Sequence, residues 1–315
     1  MPADRSDPPP APDPATIDPR AVRRAFSRAA GTYDAAAVLQ REVGARMLER
    51  LDVVKLPPGA VLDAGCGTGD AQGELAVRYP QSRRIAYDLA LPMLAATRAR
   101  VGERDSAWAR LVGRIRGGAA PAAPADCVCG DIAALPFAPG AFGLVWSNLA
   151  LQWVNDLPQA FAEIRRVLAT GGLLSFTTFG PDTLKELRGA FAGVDGRTHV
   201  SRFVDMHDIG DLLVQAGFAD PVMDMECLTL TYADGDAMMR DLRAIGATNA
   251  TRGRPRGLMG RARWEKVRGA LDALRRDGRI PATFEVIYGH AWKPAPKRTA
   301  EGLPIVRFAR RPERD

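Results

Sequence analysis

The chain has 315 residues, of which 46% are hydrophobic and 25% are charged, and its formal net charge is +6. These proportions are typical of a soluble globular protein with enough chain to bury a core. No apolar run approaches the roughly 20 residues needed to cross a bilayer, which excludes a membrane span. The basic balance allows an anionic partner without choosing among nucleic acid, an acidic protein and a membrane surface.

The first nineteen residues are rich in proline and contain four aspartates, namely Asp4, Asp7, Asp13 and Asp18. A signal peptide needs an apolar segment, and an organelle transit peptide is poor in acids. This composition fits neither, so we expect a disordered leader over residues 1–19 and a cytoplasmic protein. The four cysteines and three histidines show no metal-ligand spacing, so no metal site is predicted.

A helical pattern runs from about 18 to 51, with a break near Gly31 and Thr32. Short apolar runs then alternate with amphipathic segments, which is typical of a doubly wound α/β sheet. The strands are predicted at 60–64, 84–88, 126–129, 142–146 and 173–177, and the helices at 70–78, 92–100 and 156–168.

The alternation of strands and helices ends after Gly180, where the pattern becomes mainly helical. Helices are predicted at 181–192, 205–216, 234–246 and 261–276, and strands at 223–232 and 282–292. We therefore expect a seven-stranded sheet with a small helical insert. The chain after the leader is predicted to have three regions. Residues 20–180 form a cofactor-binding core with N-terminal helices, and residues 181–294 contain the remaining strands and the insert. Residues 295–315 form a flexible basic tail. Residues 103–125 are predicted to be a surface insertion.

The strand predicted at 60–64 is followed by a GxGxG loop made of Gly65, Gly67 and Gly69. Glycine permits positive φ and lets the backbone approach a ligand closely. A dinucleotide-binding fingerprint would need glycine at position 70, which is Asp70, and an acid there suits a pyrophosphate poorly. S-adenosylmethionine carries no phosphate, so the loop favours this cofactor, with S-adenosylhomocysteine as its product. Two further residues of the segment join the expected contacts, namely Asp63 and Cys66.

Three more strand ends should meet the glycine loop at the carboxyl edge of the sheet, where ligands of open α/β sheets bind. Asp88 can accept hydrogen bonds from ribose hydroxyls, although a role as a helix N-cap is an alternative. Asp131 can meet the adenine amino group while Ile132 packs against the ring. The remaining candidate contacts are Leu89, Ser147 and Asn148.

Four segments carry a more selective signal, namely FSRAAGTYD at 26–34, WSNLALQW at 146–153, FTTFG at 176–180 and LRAIGAT at 242–248. Together they resemble the malonyl-carrier-protein O-methyltransferase family of biotin synthesis, a class I (Rossmann-like) methyltransferase family. The resemblance runs from about residue 20 to 294 without the 103–125 insertion. It implies methyl transfer from S-adenosylmethionine to the free carboxylate of a malonyl thioester, on an acyl carrier protein or coenzyme A. The ester would prime pimeloyl synthesis.

The resemblance also suggests roles for three residues. Tyr33 should close over the cofactor near its methionine end. Arg202 matches an arginine position of the family and could contact the malonyl carboxylate in a bidentate manner, with pairing to Asp205 as the alternative. Arg243 and the basic stretch 252–268 could face an acidic acyl carrier protein. A carboxylate is already ionised at neutral pH, so no catalytic base is assigned.

A related family leaves the function open. The respiratory complex I assembly factors, proposed arginine hydroxylases, share segments like SNLALQWVNDLP, GPDTLKELR and PATFEVIY. Arg202 beside Phe203 and the acid-containing leader favour the biotin enzyme. A non-catalytic S-adenosylmethionine-binding module is the third alternative. Nucleic acid is not expected as a partner, because no interleaved aromatic platform marks a base-methylating site.

Overall fold

The structure is a computed structural model that describes residues 13–104, 125–255, 257 and 259–296. The predicted leader up to residue 12, most of the 103–125 insertion and the tail from residue 297 lie outside the described residues. Among the helices that the structure describes, none combines the length and apolar character needed to span a membrane.

Seven strands form one sheet in the order β3-β2-β1-β4-β5-β7-β6, which confirms the predicted seven-stranded α/β architecture. The first five strands pair in parallel, and β7 pairs antiparallel with both β5 and β6. The strands are β1 (Ala60–Ala64), β2 (Arg83–Asp88), β3 (Asp126–Cys129), β4 (Phe142–Ser147), β5 (Leu168–Phe179), β6 (Ala219–Tyr232) and β7 (Ile280–Trp292).

Ten α-helices surround the sheet within the described ranges, together with a 3-10 turn at Leu151–Trp153. The predicted N-terminal helical region is divided near Gly31 and Thr32, as expected. The helices are α1 (Pro19–Ala29), α2 (Tyr33–Ala36), α3 (Val38–Arg50), α4 (Gln72–Arg78), α5 (Leu91–Arg104), α6 (Leu157–Val167), α7 (Lys185–Ala192), α8 (Met206–Gln215), α9 (Gly235–Ala244) and α10 (Arg261–Asp272).

The hydrophobic core has two layers, one on each face of the sheet, because successive side chains of a strand point to opposite faces. In β1, Val61 belongs to one buried cluster and Leu62 to the other. In β4, Trp146 packs in the same layer as Val61, whereas Val145 packs with Leu62. Buried on both faces, these strands read as continuous apolar runs, which is why the sequence located them well.

Strand β5 is longer than predicted. The sequence predicts its start at residue 173, directly after Gly171 and Gly172, but the observed ladder continues through both glycines. The amide of Gly171 donates to the carbonyl of Lys293 at 2.8 Å, and the amide of Lys293 donates to the carbonyl of Gly172 at 2.9 Å. Pairing with the distant end of β7 therefore overrides the local turn signal.

Helix α7 begins at Lys185, four residues later than the predicted start at 181. The preceding residues form a turn that ends at Leu184, whose φ is +54°. Glu285 of β7 holds this turn by accepting a hydrogen bond from the Asp182 amide at 2.6 Å. A contact from more than 100 residues away thus sets the helix start.

The helical insert packs over one face of the sheet. Leu187 of α7, Leu242 of α9 and Val267 of α10 share one buried cluster, which also contains Val61 and Trp146. Helix α8 lies on the opposite face, because its Ile209 and Leu213 belong to the other cluster. The insert therefore consists of α7, α9 and α10, and it approaches the carboxyl edge of the sheet.

Residues 13–18, the end of the predicted leader, make specific contacts with distant parts of the chain. The Asn155 side chain binds both backbone groups of Ile17, at 2.8 Å and 2.9 Å. The Asp18 amide donates to the carbonyl of Ala250 at 2.8 Å, and its carboxylate pairs with Arg254 at 3.2 Å. These partners lie far away in sequence, so composition alone could not reveal them.

Candidate functional site

The glycine loop forms the sharp turn between β1 and α4. Gly65, Gly67 and Gly69 have φ of +85°, +55° and +79°, all in the left-handed region that favours glycine. A Cβ on Gly65 would lie 2.3 Å from the Cβ of Ala150, and one on Gly69 would lie 2.6 Å from Cγ2 of Thr97. The loop therefore needs glycine for its backbone conformation and, at two positions, for space.

Asp88 ends β2 beside this loop. Its Oδ2 accepts a hydrogen bond from the Gly67 amide at 3.0 Å, and its Oδ1 accepts one from the Ala90 amide at 2.8 Å. Burial raises the pKa of this carboxyl to about 6, although the amide hydrogen bonds oppose the rise. The structure is compatible with both roles considered for Asp88, a helix cap and a ribose contact. The same carboxylate caps the turn before α5 and lines a cavity.

Asp63 is buried near the end of β1. Gln72 donates from Nε2 to its Oδ2 at 2.7 Å. Burial raises the pKa of Asp63 to about 7, and the nearby carboxylates of Asp88 and Asp70 add to the rise. Burial likewise raises the pKa of the Cys66 thiol, which keeps it protonated and unreactive.

A cavity of about 270 Å³, here called the loop cavity, opens above the glycine loop. Its polar groups come from the strand ends, while Phe26, Trp153 and Val22 supply an apolar wall from α1 and the 3-10 turn. Seven of the residues predicted to bind the cofactor line it together with Tyr33, namely Gly65, Gly67, Asp88, Leu89, Asp131, Ile132 and Asn148.

A smaller space of about 130 Å³, the polar cavity, lies on the other side of the same loop. Asp63 and Cys66 line it, as do Gln40 and Trp146. Among the described residues, Oε1 of Gln40 and Nε1 of Trp146 are buried without a hydrogen-bond partner. One is an acceptor and the other a donor, so this cavity suits a ligand group that carries both.

Tyr33 lies where the cavities meet, because it lines both of these and a third one described below. Its ring passes 3.8 Å from the position that a Cβ on Gly67 would occupy. Burial and the carboxylates of Asp88 and Asp70 raise the pKa of its phenol, which therefore stays protonated.

Helix α2 holds Tyr33 in this position through the next residue, Asp34. The hydroxyl of Thr68 donates to Oδ1 of Asp34 at 2.5 Å, which ties α2 to the glycine loop. Arg100 of α5 pairs with Asp34 and, at 3.1 Å, with Asp70. Helix α2, which carries the tyrosine, is thus tied to the glycine loop and to α5.

The third cavity, about 310 Å³ and here called the insert cavity, lies between the sheet edge and the helical insert. Its wall is largely apolar, but His199, Arg243 and Arg254 also line it. The guanidinium of Arg254 is committed to Asp18 and the carbonyl of Thr251. Arg243 is exposed at the wall.

Three predicted site residues are not among those lining the three cavities. Gly69 packs against Thr97 instead. Ser147 is fully buried, and its hydroxyl donates to the carbonyl of Ala64 at 2.8 Å, which ties β4 to β1. Arg202 is exposed, whereas Ser201 and Phe203 on either side line the insert cavity.

The alternative pairing of Arg202 with Asp205 does not occur in the structure. Asp205 instead caps α8 and pairs with His207 at 2.8 Å. A direct contact between Arg202 and a carboxylate in the insert cavity therefore remains a prediction.

Sequence reasoning missed His199, since the histidines were considered only as metal ligands. Its side chain is 8% exposed, and Nε2 lies 2.7 Å from Oδ1 of Asp195. The available signal was the spacing of an aspartate four residues before a histidine, next to the Arg202 segment. Among the described residues, no group of three or more potential ligands could hold a metal ion.

Known proteins resemble this chain over nearly its whole length. The family described as "Methyltransferase domain" matches residues 62–176. The malonyl-(acyl-carrier protein) O-methyltransferase of Gallionella capsiferriformans (strain ES-2) is 56% identical over 291 residues, 92% of this chain and 96% of that protein. The protein of the same name from Methylovorus sp. (strain MP688) is 56% identical over 293 residues, 93% and 95% respectively.

A solved structure agrees with the fold. A candidate methyltransferase from Bacillus halodurans superposes with a TM-score of 0.55 at 18% identity, over 80% of this chain and 99% of that one. At this identity the likeness concerns the fold alone, and it supports the class I methyltransferase architecture that the strand order indicates.

Proposed function

The chain belongs to the malonyl-(acyl-carrier protein) O-methyltransferase family, and from this premise we propose that it methylates the free carboxylate of a malonyl group on an acyl carrier protein. The observation that carries the proposal is the position of Tyr33 between the cavities around the glycine loop and the insert cavity. A cofactor beside the loop and an acyl group in the insert cavity would meet there. The methyl ester would prime pimeloyl synthesis for biotin.

The residues around the glycine loop fit S-adenosylmethionine in shape and chemistry. The loop cavity offers Asp88 to ribose hydroxyls, since each carboxylate oxygen already accepts one amide hydrogen bond and has a second lone pair. Ile132 and Leu89 supply apolar walls for the adenine ring, and Asp131 lies exposed at the rim.

The polar cavity fits the amino-acid end of the cofactor. Oε1 of Gln40 can accept from an ammonium group, and Nε1 of Trp146 can donate to a carboxylate. Both atoms are otherwise unpaired among the described residues, and a buried unpaired polar atom costs about 1–3 kcal/mol. Binding would remove that cost.

When bound, S-adenosylmethionine supplies a methyl group on a sulfonium, and transfer forms an O–CH3 bond as the S–CH3 bond breaks with its electron pair left on sulfur. The acceptor carboxylate is already ionised at neutral pH, so the chain need not remove a proton. Its residues must instead position the carboxylate and exclude water. The apolar wall of the insert cavity, including Phe179, Leu187 and Phe203, is suited to that task.

The insert cavity also accounts for the anionic substrate. Arg243 lines it and is exposed, so it can attract either the acyl carboxylate or an acidic carrier protein. We assign the carrier protein as the natural thioester and treat malonyl-coenzyme A as the competing substrate. Arg202 adds to the positive charge beside the cavity entrance.

The test is to incubate the purified protein with S-adenosylmethionine and malonyl-acyl carrier protein, then analyse the acyl group by mass spectrometry. The expected product is the methyl ester, and acetyl-acyl carrier protein, which lacks a free carboxylate, should stay unmodified. Malonyl-coenzyme A run in parallel ranks the two thioesters. No ester from either malonyl thioester would overturn the proposal, and hydroxylated arginine on a partner protein would support the competing hydroxylase activity instead.

A further inference from the structure

His199 is a nearly buried histidine in the wall of the insert cavity, and the proposed function gives it no role so far. It follows α7 in the helical insert, and its side chain is 8% exposed. Its hydrogen bond to Asp195 uses Nε2, and no hydrogen bond of Nδ1 occurs among the described residues. The second ring nitrogen is therefore free to meet a ligand in the cavity.

Neighbouring side chains fix the orientation of this imidazole. The ring stacks on Phe191, with 4.0 Å between centroids and 6° between planes. Phe191 in turn contacts Trp264, whose Nε1 donates to Asp236 at 2.9 Å. A ring held by a hydrogen bond on one edge and a stack on one face keeps its free nitrogen in a defined direction.

Asp195 is the hydrogen-bond partner of the Nε2 edge of the ring. It is itself only 15% exposed, and its hydrogen bond with His199 lowers the pKa of this carboxyl. An imidazolium whose Nε2 donates to Asp195 has Nδ1–H as a second donor, so in this form the pair offers a charged hydrogen bond to an anion.

We propose that His199, oriented by Asp195 and Phe191, donates a hydrogen bond from Nδ1 to one oxygen of the malonyl carboxylate in the insert cavity and helps to distinguish the free acid from its methyl ester. The inference rests on the proposed function. A single donor on one oxygen leaves the other oxygen free to receive the methyl group. Once the ester forms, the acyl group is neutral and the ion pair is lost, which favours release of the product.

Other charged groups surround the cavity. Arg243 and Arg254 line it, and the backbone amide of Arg197 donates to Asp195 at 3.1 Å. Asp236 and Arg268 form an ion pair beside Trp264. Arg254 is already committed to Asp18 and to the carbonyl of Thr251, whereas Arg243 can share the attraction for the carboxylate with His199.

The test compares His199→Gln with His207→Gln, a matched control. His207 also pairs with an aspartate, but its side chain is 84% exposed and lies on α8, outside the insert cavity. For His199→Gln we expect KM for malonyl-acyl carrier protein to rise about tenfold, since a charged hydrogen bond is lost. The value of kcat should change much less, because the carboxylate's charge fades during transfer. His207→Gln should match the wild type.

Asp195→Asn separates an ionic role from a packing role. It retains an acceptor for Nε2 but lacks the charge of the carboxylate, so KM for malonyl-acyl carrier protein should rise although the ring keeps its hydrogen-bond partner. Affinity for S-adenosylhomocysteine and the melting temperature report whether each variant folds.

The last part of the test measures binding of the substrate and of its methyl ester. Wild-type protein should bind malonyl-acyl carrier protein more tightly than its methyl ester, and His199→Gln should narrow this difference, with Arg243 providing what remains. If both ligands weaken equally in His199→Gln, or if Asp195→Asn keeps the wild-type KM, the inference is overturned. Those results would leave the proposed function intact provided that the wild type forms the ester, whereas a wild type that forms none refutes the function itself.

Discussion

The Gly67 amide donates to the Asp88 carboxylate at 3.0 Å, so the glycine loop and the end of β2 form one surface of the loop cavity. The same carboxylate accepts from Ala90 at 2.8 Å. It therefore organises the loop before any ligand arrives, and it retains two lone pairs for ribose hydroxyls. Structural and ligand-binding roles are combined in one side chain.

Asp88→Ala should weaken binding of S-adenosylhomocysteine by about 100-fold, because two hydrogen bonds to a charged acceptor are worth several kcal/mol. Asp88→Asn should be nearly as poor, since its amide NH2 faces the Gly67 or Ala90 amide, which are donors as well. Titration calorimetry provides the measurement, with Asp126→Ala at the start of β3 as the control. Wild-type affinity in Asp88→Ala would remove this residue from the cofactor site.

Asp63 should make the ligand-free protein less stable as the pH rises. Its pKa is about 7 in the folded state, against an ordinary value of 3.8, so the folded state keeps a proton that the unfolded state has lost between these values. Stability contributed by that proton is present below about pH 4 and is lost as the pH rises toward 7.

Asp63→Asn should therefore stabilise the ligand-free protein at pH 8 by on the order of 2 kcal/mol, because the amide keeps an acceptor for Gln72 without the buried charge. The gain should disappear near pH 3, where the carboxyl is protonated in both states. Urea unfolding at the two pH values measures it. A gain of equal size at both would show that the charge is not its source.

Alanine substitutions at Gly65 and Gly67 should destabilise the protein by different amounts. Gly65→Ala places a Cβ 2.3 Å from Ala150, whereas at Gly67 the nearest atom is a ring carbon of Tyr33 at 3.8 Å, an ordinary contact. Gly67→Ala should cost only the left-handed backbone strain of about 1–2 kcal/mol. Gly65→Ala should cost clearly more and impair folding. Equal unfolding free energies for the two variants would contradict this steric argument.

Much of the architecture could be predicted because it depends on local pattern. Strand β1 was located at its observed bounds, and Asp88 and Asn148 were assigned to the cavity from their places at strand ends. Parallel strands are apolar throughout and end at one edge, so position along a strand translates directly into position in space.

The remainder depends on long-range contacts that no local pattern reports. Ser147 also ends a strand, but its hydroxyl is used by Ala64 of the neighbouring strand. Ile17 is ordered by Asn155, 138 positions away. His199 could not be selected because the features that distinguish it are its stack on Phe191 and its place in the cavity wall.

Arg100→Ala should loosen Tyr33 without unfolding the chain. Arg100 pairs with Asp34 and Asp70, and its side chain is 24% exposed, so its loss should cost at most about 1 kcal/mol of stability. We expect affinity for S-adenosylhomocysteine to fall several-fold, because α2 loses a tether, with the melting temperature nearly unchanged. The control is Arg83→Ala, which removes an exposed ion pair between Arg83 of β2 and Asp126 of β3. Equal affinities for S-adenosylhomocysteine in the two variants would show that this tether of α2 does not contribute to cofactor binding.

Arg202 and Arg243 separate two ways of recognising an anionic substrate. Arg243 lines the insert cavity, so Arg243→Ala should raise KM about tenfold for both malonyl-acyl carrier protein and malonyl-coenzyme A. Arg202→Ala should raise KM for the carrier-protein substrate, with an effect that shrinks at high salt because the side chain is exposed. Affinity for S-adenosylhomocysteine should be unchanged in both. Unaltered turnover in Arg202→Ala would exclude this residue from substrate binding. Attraction of the anionic thioester would then be assigned to Arg243 in the wall of the insert cavity.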